Sequence, residues 1–277
     1  MRSLVWYSSQ LYEHVWSLRD RRLDSWTTIT KGSFVFPLLI GYIYVAKVGG
    51  PRWMKGRNPY DLKRAILAYN VFVVLASAYF VCRMLPLTYF GGGYSFLCQG
   101  VGLSNSERDT AILHLNWWYF LVRIAEFLDT FFFVARKKFS HITQLHVVHH
   151  SLVVLSGWIW LHFASDGQGI FGLCVNAFVH TVMYSYYFLA ALGPGLQKYL
   201  WWKKYLTTLQ IVQLVIFSTH IALPLLFDCG YPKPLCYIGV ALLILTIILF
   251  LNFYLKTYKP GGRSVPVLDK KSKTKGE

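Results

Sequence analysis

The stretch LHVVHHSLVVLSGWIWLHF, residues 145–163, runs without a single Asp, Glu, Lys or Arg. A helix rising about 1.5 Å per residue covers the roughly 30 Å of bilayer hydrocarbon with about this many residues. The stretch therefore predicts a transmembrane helix, and this prediction decides the fold class.

Similar apolar stretches recur along the chain, which is 277 residues long, 55% hydrophobic and only 14% charged, with a mean hydropathy of +0.40. A soluble domain of this size carries far more charge. We predict one all-α integral membrane domain over residues 1–260 and a disordered basic tail over 261–277. The seven predicted spans are 32–48, 65–85, 111–135, 145–163, 169–192, 205–227 and 235–255.

The formal net charge of +16 is typical of nucleic-acid binding in a soluble protein, but its distribution argues against that partner. Lys and Arg concentrate in the loops after spans one and three, before span six and in the tail, which predicts a cytosolic C-terminus. Lys273 and Lys275 near the end of the tail resemble a dilysine signal for the endoplasmic reticulum.

Two of the five cysteines, Cys98 and Cys229, fall in loops predicted to face the lumen, where disulfides persist. We hypothesise a bridge between them, with Cys236 as the rival partner. Spacings of the paired C-x-x-C type are absent from the sequence.

The span at 145–163 carries His146, His149 and His150, whose spacings of i, i+3 and i+4 align three imidazoles on one helical stripe. Ionisable groups inside a span are costly and therefore indicate function. Two kinds of chemistry use such a cluster: metal ligation by neutral imidazole, and nucleophilic or acid–base catalysis.

Three other spans carry polar side chains in helical register. They are Arg123, Glu126 and Asp129; Asn176, His180, Tyr184 and Tyr187; and Thr207, Gln210 and Gln213. A purely structural role is the alternative to a functional one: an ion pair for the first group, and interhelical hydrogen bonds for the last.

Depth along the helices links these clusters. Counted at about 1.5 Å per residue from the basic ends of their spans, they lie roughly 10–18 Å deep, with His150 roughly 18 Å beyond Lys138. We therefore predict one polar layer near mid-membrane that opens to the cytosol.

Basic residues frame the predicted opening of this layer. A substrate with an anionic head and a long apolar tail, such as acyl-CoA, fits such a site. We expect its phosphates to bind Arg136, Lys137, Lys203 or Lys204.

In these features the sequence resembles the ELO family of very-long-chain fatty-acid elongases, which are 3-ketoacyl-CoA synthases of the endoplasmic reticulum. The resemblance covers nearly all the predicted spans and departs from the family at Arg123, where a lysine is usual. It rests on Asn58-Pro-Tyr-Asp-Leu-Lys63, Glu126-Phe-Leu-Asp-Thr130, His146-Val-Val-His-His150, His180-Thr-Val-Met-Tyr-Ser-Tyr-Tyr187 and Thr207-x-x-Gln-x-x-Gln213.

The resemblance implies seven helices, six of them enclosing a narrow tunnel, and a decarboxylative condensation of malonyl-CoA with a long-chain acyl-CoA. The products are 3-ketoacyl-CoA, CoA and CO2. No metal or redox cofactor is implied. The implied partners are the lipid bilayer and the ketoacyl-CoA reductase, dehydratase and enoyl reductase of the elongation cycle.

Because no cysteine lies near the predicted layer, histidine is expected to supply the nucleophile. We expect a ping-pong reaction in which His149 carries the acyl group opposite His180, while His146 and His150 orient it or move protons. The remaining expectations concern Glu126 and Asp129, which would fix imidazole tautomers, and Gln210 and Asn176, which would hold the thioester oxygen.

Two other functions stay open at this point. Membrane di-iron desaturases and hydroxylases also carry an HxxHH box, but they need about eight histidines in several boxes, whereas this chain has nine histidines and one box. A transporter or lipid-binding channel without chemistry is the third possibility, and it requires no clustered histidines.

Overall fold

The computed structural model describes residues 4–26 and 30–258, and the regular secondary structure within them is helical. The predicted tail at 261–277, including Lys273 and Lys275, lies outside the described residues. The main helices are α1 (Leu4–Ser17), α2 (Gly32–Trp53), α3 (Lys63–Leu87), α4 (Glu107–Ala125), α5 (Phe127–Ala135), α6 (Gln144–Phe163), α7 (Gly169–Leu192), α8 (Lys203–Ala222) and α9 (Lys233–Tyr258).

Five of the described helices are long and apolar enough to cross a membrane: α2, α3, α7, α8 with its extension to Leu225, and α9. The chain is therefore a multi-pass membrane protein. The predicted spans at 111–135 and 145–163 are also helical, but charged residues and histidines lower their hydropathy. The count of seven spans stays a prediction.

The predicted span at 111–135 is helical but not one continuous helix, because the structure divides it at Glu126 into α4 and α5. The Asp129 N–H bonds to the Glu126 carbonyl 3.1 Å away, three residues back instead of four. This local turn places the Glu126 carboxylate against side chains of both α4 and α7.

Six helices contact one another in a closed ring. In order around the ring, α3 packs on α4, α4 on α6, α6 on α9, α9 on α8, α8 on α7, and α7 on α3. Helix α2 lies outside the ring against α6. Buried apolar side chains such as Val73, Met183 and Leu206 fill the contacts between neighbouring helices.

The loops at one end of the ring are tied together by hydrogen bonds. Asp20 pairs with Arg22 at 2.7 Å and accepts from Ser165 Oγ at 3.0 Å, and Arg22 donates to the Ser104 carbonyl at 2.6 Å. Burial alone would raise the pKa of Asp20, but its bonds with Arg22 outweigh burial and hold the pKa below its usual value. This network joins three loops that are distant in sequence.

A disulfide closes the same end. Cys98 and Cys229 are bonded, with 5.9 Å between their Cα atoms and a sequence separation of 131. The rival partner Cys236 is a buried free cysteine. The bond links the α3–α4 loop to the α8–α9 loop and so restrains the two sides of the ring.

We predict that replacing both Cys98 and Cys229 by Ser lowers the free energy of unfolding by about 2–4 kcal/mol, because the bridge closes a long loop in the unfolded chain. Thermal unfolding of the purified protein in detergent measures this change. Cys82→Ser, at an exposed free cysteine, is the control and should leave stability unchanged. Equal stability of the double variant and the control would contradict the prediction.

Candidate active site

The histidine cluster lies in the first two turns of α6. Thr143 caps this helix by accepting a hydrogen bond from the His146 backbone N–H at 3.1 Å. The predicted depth of His150 is too large, because residues 139–143 form a 3-10 turn and a cap before α6 starts. Counted from Gln144, His150 lies roughly 9 Å into the helix.

His146 is held by a chain of hydroxyl groups. Its Nε2 lies 2.7 Å from Thr130 Oγ1, and Thr130 in turn lies 3.0 Å from the Tyr42 hydroxyl. His150 packs against the His146 ring at 4.5 Å and also contacts the rings of Tyr42 and Phe127. These contacts fix both imidazoles between α2, α5 and α6.

His149 differs from its two neighbours because it lines a cavity inside the ring. Its Nδ1 is enclosed and has no hydrogen-bond partner among the described residues. The ring packs edge-on against Phe250 at 5.6 Å. Nε2 is therefore the nitrogen that can meet a molecule in the cavity.

A buried ion pair lies beside His149. Arg123 Nη2 is 2.7 Å from Glu126 Oε1, and the side chains are only 4% and 2% exposed. His180 joins the pair: its Nδ1 lies 2.8 Å from Arg123 Nη1 and 3.1 Å from Glu126 Oε1, and its Nε2 lies 3.2 Å from Arg123 Nη1. Both nitrogens of His180 are therefore engaged by the ion pair.

Asp129 is bound by tyrosine, not by histidine. The Tyr184 hydroxyl donates to Asp129 Oδ2 at 2.5 Å, and the Tyr69 hydroxyl lies 3.4 Å from that of Tyr184. Glu126 contacts an imidazole as the sequence analysis expected, whereas Asp129 contacts none. Tyr187 packs against the Tyr184 ring at 5.6 Å and is 40% exposed.

The amides of α7 and α8 form a chain. The Tyr119 hydroxyl donates to Asn176 Oδ1 at 3.2 Å, and Asn176 Nδ2 donates to Gln213 Oε1 at 3.3 Å. Gln213 Nε2 is buried without a partner among the described residues. Gln210, expected at the thioester oxygen, instead donates to Met183 Sδ at 3.0 Å and does not line the cavity.

The cavity has a volume of about 160 Å³ and is lined by α4, α6, α7, α8 and α9. One end holds Arg123, His149, Asn176 and Gln213, and the other end is walled by Asn116 and Ala164. Along α6, fifteen residues separate His149 from Ala164, which corresponds to roughly 22 Å. Most of the lining between the two ends is apolar, including Leu152, Trp160, Leu173, Phe217 and Leu243.

Basic residues gather where α5 ends. Lys137 adopts a left-handed backbone with φ 55°, and the Lys138 N–H bonds back to the Phe133 carbonyl at 2.7 Å, as in a Schellman motif. Burial lowers the pKa of His141, and the charges of Lys203, Lys138 and Arg136 lower it further. His141 is thus neutral at pH 7 within a cationic cluster.

Lys204 lies apart from this cluster, with its Nζ over the Tyr254 ring at 5.9 Å. Three of the four predicted phosphate-binding residues are therefore found near the end of α5, while the fourth packs on α9.

Sequence reasoning missed Tyr42, Tyr119 and a role for Thr130. Thr130 is the last residue of the Glu126–Thr130 motif, and its helical spacing of four places it on the same face as Glu126. No local signal marks Tyr42, which is one aromatic residue among many in an apolar helix. Helix packing brings its hydroxyl to Thr130.

Among the residues that the structure describes, no three His, Cys, Asp or Glu side chains are grouped as potential metal ligands.

The fold and the site together define a multi-pass membrane protein that buries histidines, carboxylates and amides around an apolar cavity. Residues 27–265 match the model of the ELO family, described as the GNS1/SUR4 family. The chain belongs to this family.

Curated relatives carry consistent names. The chain is 42% identical over 252 residues to very long chain fatty acid elongase 4 of Macaca mulatta. The aligned region covers 90% of this chain and 79% of the relative. It is 40% identical over 246 residues to very long chain fatty acid elongase 7 of Rattus norvegicus, covering 88% and 87%. The Drosophila melanogaster protein of the latter name is 37% identical over 261 residues, covering 91% and 78%.

We predict that Glu126→Gln lowers the free energy of unfolding by about 3–5 kcal/mol, because it leaves the buried guanidinium of Arg123 without a counter-charge. Thermal unfolding in detergent measures the loss. Combining Glu126→Gln with Arg123→Met removes both charges and should recover much of it.

The control is Asp24→Asn, at the partly exposed pair that Asp24 forms with Arg19 at 2.8 Å. An exposed pair contributes at most about 1 kcal/mol. If Glu126→Gln were as stable as this control, the pair would not be the buried charge centre described above.

Proposed function

We propose that this protein elongates fatty acids by condensing malonyl-CoA with a long-chain acyl-CoA, and that His149 carries the acyl group between the two half-reactions. One observation carries the proposal. His149 lines the cavity with no hydrogen bond to its Nδ1, whereas His146 is bound by Thr130 and His180 by Arg123 and Glu126.

The choice of a histidine follows from what surrounds the cavity. No free cysteine that the structure describes lines it, so a thiol nucleophile is not at hand. A neutral imidazole is nucleophilic without prior activation. The buried Glu126 carboxylate is the counter-charge of the neighbouring Arg123, and it would offset part of the positive charge that acylation creates on His149.

In the first half-reaction, Nε2 of neutral His149 attacks the thioester carbonyl. The N–C bond forms, the C–S bond breaks, and CoA leaves as a thiolate that takes a proton from water. The acylated ring keeps its Nδ1 proton and carries a positive charge.

In the second half-reaction, malonyl-CoA loses CO2, and the electron pair of the broken C–C bond becomes an enolate. The enolate carbon attacks the acyl carbonyl, the C–N bond breaks, and His149 returns to its neutral form. The product is 3-ketoacyl-CoA, and the same imidazole is ready for another turnover.

The cavity supports an acyl substrate by its lining and its length. Its walls are mostly apolar between the polar end and Ala164. A path of roughly 22 Å exceeds the roughly 15 Å of hydrocarbon in one leaflet. An acyl chain that fills the cavity is therefore longer than one that crosses a single leaflet, which agrees with the very-long-chain names of the relatives.

The cationic cluster of Arg136, Lys138 and Lys203 around His141 supports binding of the CoA phosphates. In the sequence, Lys137 lies between Arg136 and Lys138. It lies at a left-handed backbone position where glycine is preferred, and this conformation costs about 1–2 kcal/mol for a residue with a side chain.

The other proposed assignments follow the family. They are a location in the endoplasmic reticulum membrane, a cytosolic C-terminus, independence from metal or redox cofactors, and cooperation with the reductases and dehydratase of the elongation cycle. The alternative of a di-iron desaturase is not favoured, because the curated relatives are named elongases.

We predict that purified protein incubated with acyl-CoA alone gains one acyl group on His149 and releases one equivalent of CoA. Added malonyl-CoA should then clear the adduct and yield labelled 3-ketoacyl-CoA. Peptide mass spectrometry locates the adduct, and His149→Ala should abolish both the adduct and the product.

His114→Ala is the matched control, since the exposed His114 packs on Trp26 away from the cavity. The His114→Ala protein should gain the acyl group on His149 and release CoA as the parent protein does. An adduct on His146, His150 or His180 would reassign the nucleophile. Stoichiometric iron, with activity lost on chelation, would instead support the desaturase alternative.

We also predict opposite effects of Lys137→Gly on stability and on substrate affinity. Glycine adopts the left-handed backbone freely, so the free energy of unfolding should rise by about 1 kcal/mol. Loss of the cation should raise the KM for acyl-CoA several-fold, and added salt should narrow this difference.

Lys138→Gly is the control, because Lys138 has φ −90° and gains no conformational relief. Its stability should not rise. A Lys137→Gly variant with increased stability and an unchanged KM would remove Lys137 from the substrate site.

A further inference from the structure

The Gln213 side chain is bound at one end and free at the other. Its Oε1 accepts from Asn176, while its Nε2 is buried without a partner among the described residues. Gln213 is 4% exposed and lines the cavity at the end that holds His149. A buried N–H without an acceptor is destabilising, so an unpaired donor beside a cavity points to an acceptor on a ligand.

Two further side chains set the direction of this amide. The Tyr119 hydroxyl donates to Asn176 Oδ1 at 3.2 Å, which leaves Asn176 Nδ2 to donate to Gln213 Oε1 at 3.3 Å. Every bond in the chain runs from donor to acceptor in the same sense. The chain therefore ends in N–H groups of Gln213, and successive bonds of one sense polarise one another.

Tyr119, at the start of the chain, is held rigidly. It is 4% exposed, its ring stacks on Phe80 at 4.1 Å, and the Arg123 guanidinium carbon lies over the same ring, 4.3 Å from its centroid. The amide direction at Gln213 is thus anchored in the packed contact between α3 and α4.

We propose that Gln213 donates a hydrogen bond to the acyl carbonyl oxygen as His149 attacks it, and that Asn176 and Tyr119 position this donor. This inference rests on the proposed function and assigns the group that stabilises its oxyanion. Gln213 is the catalytic residue of the three, and Asn176 and Tyr119 are positioning residues.

The chemistry needs such a donor twice. When the His149 Nε2–carbon bond forms, the carbonyl π electrons move to oxygen, and the negative charge accepts from Gln213 Nε2–H. The charge returns to the carbonyl as the C–S bond breaks. Attack by the enolate carbon on the acyl-imidazole creates the same oxyanion, which collapses as the C–N bond breaks. No proton is transferred to or from Gln213.

Gln210 does not serve this purpose. It lies one turn earlier on α8, but its Nε2 is engaged by Met183 Sδ and its side chain is not part of the cavity wall. Asn176 lines the cavity, but both ends of its amide are occupied by Tyr119 and Gln213. Of these three amides, Gln213 thus has the side-chain nitrogen without a partner among the described residues.

The test uses Gln213→Met, which keeps the length of the side chain and removes the N–H donors, and Gln213→Glu, which replaces them by oxygen. Single-turnover acylation of the full-length protein by acyl-CoA is followed as CoA release. Loss of one oxyanion donor slows such steps by about 10²–10³-fold. The Kd for acyl-CoA should change less than threefold in both variants.

Tyr119→Phe tests the positioning role, because it removes the first donor and keeps the ring. Loss of one bond worth about 1 kcal/mol corresponds to a fall in acylation rate of about fivefold. The Kd and thermal stability should stay close to those of the parent. Tyr79→Phe, at a tyrosine that is 60% exposed on α3, is the matched control and should acylate at the parent rate.

Acylation of Gln213→Met at the parent rate, in a protein that unfolds at the parent temperature, overturns the proposal. An equal loss of rate and of acyl-CoA binding also overturns it, because that pattern indicates a structural role. Neither result affects the proposed function, which fails separately if the parent protein forms no adduct on His149. If Gln213→Met does not fold, the rates of Tyr119→Phe and Gln213→Glu decide the question.

Discussion

The buried pair of Arg123 and Glu126 is the interaction on which the arrangement of the site depends. Two opposite charges are stable inside a membrane protein when they lie close together, because each compensates for the other's loss of hydration. Division of the helix at Glu126 brings its carboxylate to Arg123 at 2.7 Å, and His180 of α7 contacts both members of the pair. This requirement occupies His180 and leaves a different imidazole, that of His149, to face the cavity.

The same constraint explains why unpaired groups beside the cavity are informative. Water does not hydrate polar atoms in the bilayer core, so the protein must pair them internally. Asp129 is bound by Tyr184, His146 by Thr130, and Asn176 by Tyr119 and Gln213. His149 Nδ1 and Gln213 Nε2, by contrast, are buried without hydrogen-bond partners among the described residues, as are Asn116 Oδ1 and two nitrogens of Arg123, and all four residues line one cavity.

The two ends of the ring have different physical characters. At one end, the Asp20–Arg22 pair, Ser165 and the Cys98–Cys229 bond tie loops together and wall off the cavity. At the other end, cations surround His141, and Lys137 keeps a strained backbone. One end is therefore tied closed, and the other is cationic. The proposed amphiphilic substrate requires both, with its charged head outside and its apolar tail enclosed.

Much of this follows from the sequence alone. The length and apolarity of the spans set an all-α membrane fold, because only hydrogen-bonded helices of that length satisfy the backbone in lipid. Helical spacing placed His146, His149 and His150 on one stripe and set Glu126 three residues from Arg123. The motifs were specific enough to indicate the family that the comparison then established.

The tertiary structure decided how these side chains are used, because hydrogen-bond partners on different helices are set by packing angles and rotation that local spacing does not determine. It separated His149 from two imidazoles on the same stripe and paired Asp129 with Tyr184. It also engaged Gln210 with Met183 while leaving Gln213 Nε2 without a partner among the described residues, although both amides share one face of α8. Periodicity identifies which residues face inward, but only contact between helices determines which of them remain unpaired.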